Sequence, residues 1–310
     1  MIIVTAGRPY LDIDAYASCI AYQELLEKQG ETATFISTSP PNYSIPASHL
    51  VQVVHELPNG VQKQDLRYCV LDVSDPNSFE EFATINQVIE VFDHRAGQDE
   101  FWSKHPEIKV QIEEVGSVCT QIFEKWEEAN HLNQMRRQTA ELLMFGILDN
   151  TLNFKAKITT ERDIHAYSSL ANQLDVNPEQ FAADYFLAVQ RNLEQDLAEN
   201  LQKDTKQLTF RSFGEHKVTV GQLAVWDKQK FEQEIDHSLG NIYSPIQPWF
   251  INLIDLASGK SYFMCSNDHI KDWLSSLLSL TETNGLLEAN RLWLRKEIIA
   301  VDLAKSRVSV

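Results

Sequence analysis

Acidic, imidazole and guanidinium side chains recur in short stretches of the first half of this chain, and their types suit metal and phosphate chemistry. Asp12 and Asp14 form one stretch, and Asp72 stands by itself further on. The next stretches read Asp93-His94-Arg95 and Asp149-Asn150. Oxygen ligands with one imidazole suit Mn²⁺ or Mg²⁺ better than the thiolate-rich sets of structural zinc. Because acids placed together repel one another unless a cation balances them, the combination predicts a divalent-cation site.

Each of these residues also has an ordinary structural explanation. Asp12 or Asp14 could only cap the helix that follows, since aspartate is a favoured N-cap residue. His94 could be a hydrogen-bonded structural histidine, Asp72 could simply end a strand, and Asp149 could cap a loop after a helix. The separate residues are therefore weak signals, and their combination carries the prediction.

Short strands must bring these side chains together, because each stretch follows an apolar run. The pattern predicts strands over 2–5, 34–37, 68–73 and 88–92, with helices over 15–29 and 76–82. Such alternation favours an α/β fold with a parallel sheet covered on both faces. In an open parallel sheet the ligand site lies outside the carboxyl ends of the strands, where these residues fall.

Further along the chain the pattern predicts a helical region and then a second, smaller α/β domain. The predicted helices cover 117–129, 134–148, 160–174, 178–204, 228–237 and 268–280, and the predicted later strands cover 208–211, 218–225, 249–254, 261–265 and 292–301. We place the first domain, which contains the candidate metal-binding residues, at 1–195 and the second domain at 196–310.

Composition narrows the functional classes. The chain has 310 residues, a 43% apolar share and a net charge of -17, which disfavours binding to nucleic acid or anionic lipid. Its longest apolar runs fall short of the roughly 18 residues that span a bilayer. The first residues read as a strand and not as an export signal, so we expect a cytoplasmic protein. The cysteines are scattered, and none forms the close pair of a zinc ribbon or redox motif.

The residues that could do chemistry resemble the motifs of a known superfamily. In order and separation, Asp12-Ile13-Asp14-Ala15, Leu71-Asp72, Asp93-His94-Arg95 and the stretch 146–154 resemble the four motifs of the DHH phosphoesterase superfamily. Downstream, Asp204-Thr205-Lys206, the stretch 218–223 and Leu294-Arg295-Lys296 resemble the DHHA2 domain. That domain occurs in manganese-dependent family II inorganic pyrophosphatases, exopolyphosphatases and prune proteins.

The resemblance implies a hydrolase whose active site lies in the cleft between the domains. Metal ions, Mn²⁺ or alternatively Mg²⁺ or Co²⁺, would bind a phosphate chain and activate water. By position, Asp72 would be the shared carboxylate, Asp12 and Asp14 would each serve one ion, and His94 would complete the second site. Asp149 or Asn150 would add a further ligand.

The resemblance also assigns the substrate contacts. Lys206, Arg295 and Lys296 would neutralise the phosphates from the second domain, and Arg95 would hold a phosphate oxygen. Asp72, Arg95 and Arg8 would be the catalytic residues. The expected partner is a small phosphate-chain substrate, with neither nucleic acid nor membrane, and the sequence leaves open whether the chain forms a homodimer.

Four positions depart from the pyrophosphatase pattern. Arg8 replaces a histidine and cannot ligate a metal, because guanidinium stays protonated. Arg95 replaces the second histidine, as in prune, Asn150 stands where the pattern has Asp, and Leu294 stands where it has Ser. These changes favour an exopolyphosphatase-like or prune-like member. A permanent cation at Arg8 near Asp12 also predicts at most one tightly bound divalent ion.

Two other functions remain open at this point. A degenerate member of the superfamily would bind a phosphorylated ligand or a partner without turnover, as the substitutions suggest. A phosphodiesterase of short oligonucleotides is the other alternative, although the chain has no Gly-Gly-His segment of the kind such enzymes carry.

Overall fold

The computed structural model describes residues 1–8, 11–50, 53–58, 60–95, 97–228, 247–283 and 285–308. The chain divides into two compact units, Met1–Tyr185 and Phe186–Val310. The predicted domain boundary, at 195/196, falls within the second of these units, and the domain roles assigned above stay predictions.

The first unit contains a parallel sheet of short strands. The strands are β1 (Ile2–Thr5), β2 (Ala33–Phe35), β3 (Arg67–Leu71), β4 (Val88–Asp93) and β5 (Lys109–Ile112). Their order in the sheet is β2-β1-β3-β4-β5, and every pairing is parallel. The order reverses between β1 and β3, which makes that edge a topological switch point, where open α/β sheets bind their ligands.

Helices separate or follow these strands along the chain. They are α1 (Ile13–Lys28), α2 (Asp99–Trp102), α3 (Val118–Glu128), α4 (Arg137–Asn150), α5 (Glu161–Leu174) and α6 (Pro178–Gln195), which continues past the division between the units. Most of α1 is buried, so it is a core helix rather than a surface one. It packs against both α3 and α4.

The close contact of these three helices depends on a glycine in α4. A Cβ added at Gly146 would lie 2.4 Å from Cys119 Sγ on α3 and 3.3 Å from Asp14 Cα on α1. Real Cβ atoms do not approach that closely, so only glycine lets α4 lie this near the other two. The start of α1, and with it Asp14, is thereby held against the start of α3.

The second unit contains a mixed sheet. Its strands are β6 (Lys206–Phe210), β7 (His216–Val225), β8 (Trp249–Asp255), β9 (Lys260–Cys265), β10 (Thr281–Thr283) and β11 (Leu286–Ala289), in the order β10-β11-β9-β8-β7-β6. The β7–β8 pair is parallel and the others are antiparallel. The helices are α7 (Leu197–Lys203), α8 (Asp268–Leu278) and α9 (Arg295–Val308). An apolar core that includes Phe210, Phe250 and Ile298 holds this unit together.

The predicted α/β class is confirmed, and several predicted elements need correction. Residues 292–301 do not form a strand, because α9 begins at Arg295. The Glu297 side chain accepts a hydrogen bond from the Leu294 amide at 2.9 Å, which caps the helix start. The predicted helix 76–82 is only a 3₁₀ turn, Pro76–Ser78.

Other differences concern breaks and short strands. The predicted helix 178–204 is two helices, α6 and α7, because the Asp196 side chain caps a new start at the Glu199 amide. Short elements at β5, β10, β11 and α2 were not predicted. The predicted helix 228–237 lies outside the described residues except at its first position. No helix in the described ranges has both the length and the apolar character that a bilayer span requires.

Candidate metal centre

Asp14, Asp72 and His94 lie together at the carboxyl ends of the central strands of the first unit. Asp72 directly follows β3, His94 directly follows β4, and Asp14 lies in the first turn of the helix after β1. One ligand atom from each of the three lies within 4.8 Å of the others. The topology therefore brings three of the sequence-predicted ligands to the switch point of the sheet.

Asp72 and His94 present a pair of acceptor atoms to one another. The Oδ1 atom of Asp72 and the Nε2 atom of His94 are 3.6 Å apart, and their side chains are 4% and 5% exposed. Neither atom makes a hydrogen bond, although the Arg95 guanidinium forms an ion pair with the oxygen, with Nη2 3.0 Å from Oδ1. His94 Nδ1 lies 3.2 Å from the carbonyl oxygen of Val115. Since a carbonyl can only accept, Nδ1 carries a proton, and in the neutral imidazole Nε2 then has a free lone pair. Two orphaned buried acceptors that face each other fit a metal cation between them.

The backbone at Asp72 sets this geometry. Asp72 has a φ of 57°, the left-handed conformation that few non-glycine residues adopt. Its amide donates to the carbonyl oxygen of Phe92 at 2.8 Å, so the turn is fixed against β4. Burial raises the pKa of the Asp72 carboxyl well above its usual value, and the neighbouring acids add to that effect while Arg95 opposes it.

Asp14 is surrounded by donors. Its Oδ1 atom accepts from Ser117 Oγ at 2.6 Å and from the Cys119 amide at 2.9 Å. Its Oδ2 atom accepts from the Val118 amide at 3.0 Å and from the Asn150 side-chain amide. The carboxylate, which is 1% exposed, thus caps the start of α3 from a neighbouring helix.

Asp93 and Arg95 lie beside Asp72 and His94, and we call Asp12, Asp14, Asp72 and Asp93 the acidic cluster. Arg95 donates from Nη1 to the carbonyl oxygen of Asp72 at 2.7 Å and from Nη2 to its Oδ2 at 3.2 Å. Asp93, which the sequence placed at this edge without assigning it a role, accepts from Ser74 Oγ at 2.6 Å and from the His94 amide at 2.8 Å. It therefore orients the turn that carries His94 and Arg95.

Asp12 occupies the start of α1 and acts there as its N-cap. Its Oδ1 atom accepts from the Ala15 amide at 3.0 Å. Burial raises the pKa of this carboxyl, Asp14 raises it further, and Arg95 and His94 lower it. Asp12 is therefore near the charges of these residues, but it is not one of the three residues whose ligand atoms lie within 4.8 Å of one another.

Asp149 and Asn150 point to different partners. Asp149 Oδ1 accepts from the hydroxyl of Tyr185 at 2.9 Å, whereas Asn150 contacts Asp14. Burial raises the pKa of Asp149 to about 7, which the Tyr185 hydrogen bond lowers in part. Tyr185 was not predicted, because nothing in the sequence marks a residue so far from Asp149 as its partner.

The basic residues predicted for catalysis and substrate binding have local partners. Arg8 Nη1 pairs with Glu81 Oε1 at 2.9 Å. In the second unit, Arg295 is 12% exposed in its side chain and donates to Asp204 Oδ1 at 3.0 Å. Lys206 is exposed at the start of β6, and Lys296 lies in the first turn of α9.

Manganese-dependent inorganic pyrophosphatases from Bacillus match most of the chain. A probable manganese-dependent inorganic pyrophosphatase of Bacillus velezensis is 22% identical over 96% of this chain and 97% of its own length. The manganese-dependent inorganic pyrophosphatase of Bacillus subtilis is 24% identical over 77% of each chain.

Solved structures share the fold. A Methanococcus jannaschii protein assigned as a family II inorganic pyrophosphatase superposes with a TM-score of 0.64, at 17% identity over 98% of this chain and 100% of that one. An exopolyphosphatase-related protein from Bacteroides fragilis superposes with a TM-score of 0.53, at 13% identity over 99% of this chain and 93% of that one.

One family model matches most of the first unit, including the candidate cation ligands. The DHH family, N-terminal domain, matches residues 2–147, a stretch that includes Asp12, Asp14, Asp72 and His94. The part of the chain that is similar to this family's N-terminal domain therefore lies in the first unit.

Proposed function

We propose that this protein is a divalent-cation-dependent phosphohydrolase that cleaves the phosphoanhydride bond of pyrophosphate or of a related short phosphate chain. The observation that carries the proposal is the buried pair of Asp72 Oδ1 and His94 Nε2 at the switch point, 3.6 Å apart and without hydrogen bonds, next to the Arg95 guanidinium. Hard oxygen ligands with one imidazole suit Mn²⁺, with Mg²⁺ or Co²⁺ as alternatives.

The chain's own residues supply the ligands. Asp72 and His94 would hold the cation, and Asp12 lies in the same electrostatic environment. A bound divalent cation lowers the pKa of water and draws charge from phosphoryl oxygens. Asp93 keeps His94 in place through the amide of that residue.

Arg95 is the substrate-binding residue nearest to these acids. Its side chain is 53% exposed while its guanidinium contacts Asp72, so part of the donor set faces outward. Guanidinium binds phosphate oxygens in a bidentate manner. We assign Lys206, Arg295 and Lys296 of the second unit to the neutralisation of the phosphate chain, in line with their resemblance to the DHHA2 motifs.

The names of the relatives favour pyrophosphate as the first substrate to test. Two of them are named for manganese-dependent inorganic pyrophosphatase activity over most of their length. The exopolyphosphatase-related structure extends the test to longer phosphate chains. The proposed substrates therefore share a phosphoanhydride bond and differ in the length of the phosphate chain, which the test varies.

The test is phosphate release from pyrophosphate, tripolyphosphate and long-chain polyphosphate, each with Mn²⁺, Mg²⁺ and Co²⁺. We expect hydrolysis with at least one pair of substrate and metal. Asp72→Asn should lower kcat by at least about a thousandfold, because the amide cannot provide the negative charge that a cation needs.

A matched control lies three residues further along the same loop. Asp75 accepts from the amide of Asn77 at 3.1 Å, and it lies outside the cluster of cation ligands. Asp75→Asn should retain activity. Full activity in Asp72→Asn would rule out the assigned site, and phosphate-chain binding without release by the wild type would favour the non-turnover alternative.

A further inference from the structure

We propose that the centre holds a single divalent cation, at Asp72 and His94, and that Asn150 keeps Asp14 out of the coordination sphere. The inference deepens the proposed function and rests on it in one respect, namely that the bound cation is divalent. It assigns Asp14 a positioning role, although its carboxylate lies within 4.8 Å of the other two ligand atoms.

Hydrogen-bond donors surround both oxygens of Asp14. A carboxylate has about four lone-pair sites, and donors occupy two on each oxygen of Asp14. A metal bond to Asp14 therefore requires that one donor leave. Ser117, Val118 and Cys119 are fixed at the start of α3, so the side chain of Asn150 is the donor that can be replaced.

Asn150 donates to Asp14 from its side-chain amide nitrogen. Only the amide nitrogen of an asparagine has hydrogens, so the atom that faces the carboxylate is the donor. The neutral amide satisfies a hydrogen-bond acceptor site of Asp14, and the pair carries the single negative charge of the carboxylate. A carboxylate at position 150 would instead repel Asp14 and would require a cation between them.

Arg95 places a positive charge beside the carboxylates of Asp72 and Asp93. Its Nη2 atom lies 3.0 Å from Asp72 Oδ1 and its Nη1 atom lies 3.7 Å from Asp93 Oδ1. This guanidinium supplies a resident positive charge beside the carboxylates, which lowers the charge left for metal ions to balance. The sequence attributed this role to Arg8, but Arg8 pairs with Glu81.

The experiment counts tightly held Mn²⁺ by mass spectrometry of the desalted protein, and it requires no substrate. We expect about one ion per wild-type chain. Asn150→Asp should raise the count toward two, since it creates an uncompensated pair of carboxylates at Asp14. Asn153→Asp is the matched control, because it adds the same charge just after the same helix and should leave the count at one.

A second variant covers the event that Asn150→Asp does not fold. Asn150→Ala adds no charge and frees one lone pair of Asp14, so the Kd for Mn²⁺ should fall by on the order of tenfold as Asp14 joins the ion. An unchanged or weaker Kd would overturn the role of Asn150.

Failure of this inference is distinguishable from failure of the proposed function. Two tightly held ions in the wild type, or a count that stays at one in folded Asn150→Asp, would overturn the single-ion centre whatever the activity. Pyrophosphate hydrolysis by a two-ion wild type would leave the proposed function standing. A wild type that holds no ion would overturn both.

Discussion

A buried carboxylate needs either hydrogen-bond donors or a cation, and the acids of this centre meet that need differently. Asp14 and Asp93 are met by donors from side chains and backbone amides. Asp72 Oδ1 makes no hydrogen bond and lies 3.6 Å from His94 Nε2, which makes none either, and its charge is balanced in part by Arg95. The need for a further cation is therefore greatest at Asp72 and His94, since burying a carboxylate and an imidazole without hydrogen bonds is costly.

Asp149 should make the stability of the metal-free protein depend on pH. Its pKa is about 7 in the folded protein and near 3.8 when unfolded, so the unfolded state loses the proton first. The stability that protonated Asp149 contributes is full below pH 4 and is lost as the pH rises toward 7. Asp149→Asn should remove this loss and be more stable than the wild type by about 1–2 kcal/mol at pH 8.

The measurement is urea unfolding in the presence of a chelator at pH 4, 6 and 8. Asp184→Asn, an exposed change on α6, is the control and should follow the wild type. A difference between Asp149→Asn and the wild type that does not grow with pH would contradict the assignment.

At the scale of the elements, the centre depends on how closely α1, α3 and α4 pack. Asp14 begins α1, its carboxylate caps α3, and Asn150 at the end of α4 donates to it. Gly146 permits this approach, because its hydrogen lies where any Cβ would meet Cys119. Helix packing and ligand placement are therefore the same structural feature.

Gly146→Ala should lower stability, although alanine is ordinarily the better helix former. The added Cβ would lie 2.4 Å from Cys119 Sγ, so the helices must separate, at a net cost of about 2 kcal/mol. Gly146→Ala combined with Cys119→Ala should recover much of that loss, because the second change removes the sulfur. A double-mutant cycle by chemical denaturation measures the coupling, and additive effects would contradict the steric explanation.

Arg295 should contribute to the stability of the second unit as well as to substrate binding. Its guanidinium donates to the carbonyl oxygen of Asp204 at 2.5 Å and to its carboxylate at 3.0 Å, which joins the start of α9 to the end of α7. Arg295→Ala should therefore lower the free energy of unfolding by about 1–3 kcal/mol and raise KM.

Asp204→Asn separates the two effects. It weakens the same ion pair and keeps the arginine, so it should reproduce part of the stability loss with a smaller change in KM. Urea unfolding followed by tryptophan fluorescence, together with steady-state kinetics, provides both values. An Arg295→Ala protein as stable as the wild type would show that the contact with Asp204 is not structural.

At the scale of the whole molecule, each unit has its own sheet and its own apolar core. The candidate cation ligands belong to the first unit, whereas Lys206, Arg295 and Lys296 belong to the second. Cation binding should therefore stabilise the first unit directly, because a ligand that binds only the folded form adds its binding free energy to stability.

Hydrogen exchange with and without Mn²⁺ tests this expectation. At a free concentration of 100 times Kd, exchange in β3 and β4 should slow by about a hundredfold, which is about 2.7 kcal/mol. Exchange in β8 and β9 should change much less, and Asp72→Asn should abolish the response. Equal protection in both units would show that they open as one cooperative body.

The sequence by itself determined the α/β class and the positions along the chain of the strands that precede the site residues. It also identified Asp72 and His94 as candidate ligands. Strand-ending acids and apolar runs are local signals, and parallel strands place their carboxyl ends at one edge. Most predicted helices and strands of the first unit therefore agree with the structure to within a few residues. The strand predicted at 292–301 was wrong, since apolar runs of that length do not distinguish a strand from a helix.

Only the tertiary structure decided which donors meet each acid. Asn150 lies 136 residues from Asp14, and Tyr185 lies 36 residues from Asp149. It was likewise the folded chain that paired Arg8 with Glu81 and set Arg95 beside Asp72. Hydrogen bonds and ion pairs act over a few ångström between residues far apart in sequence, so their partners are fixed by packing and not by local pattern.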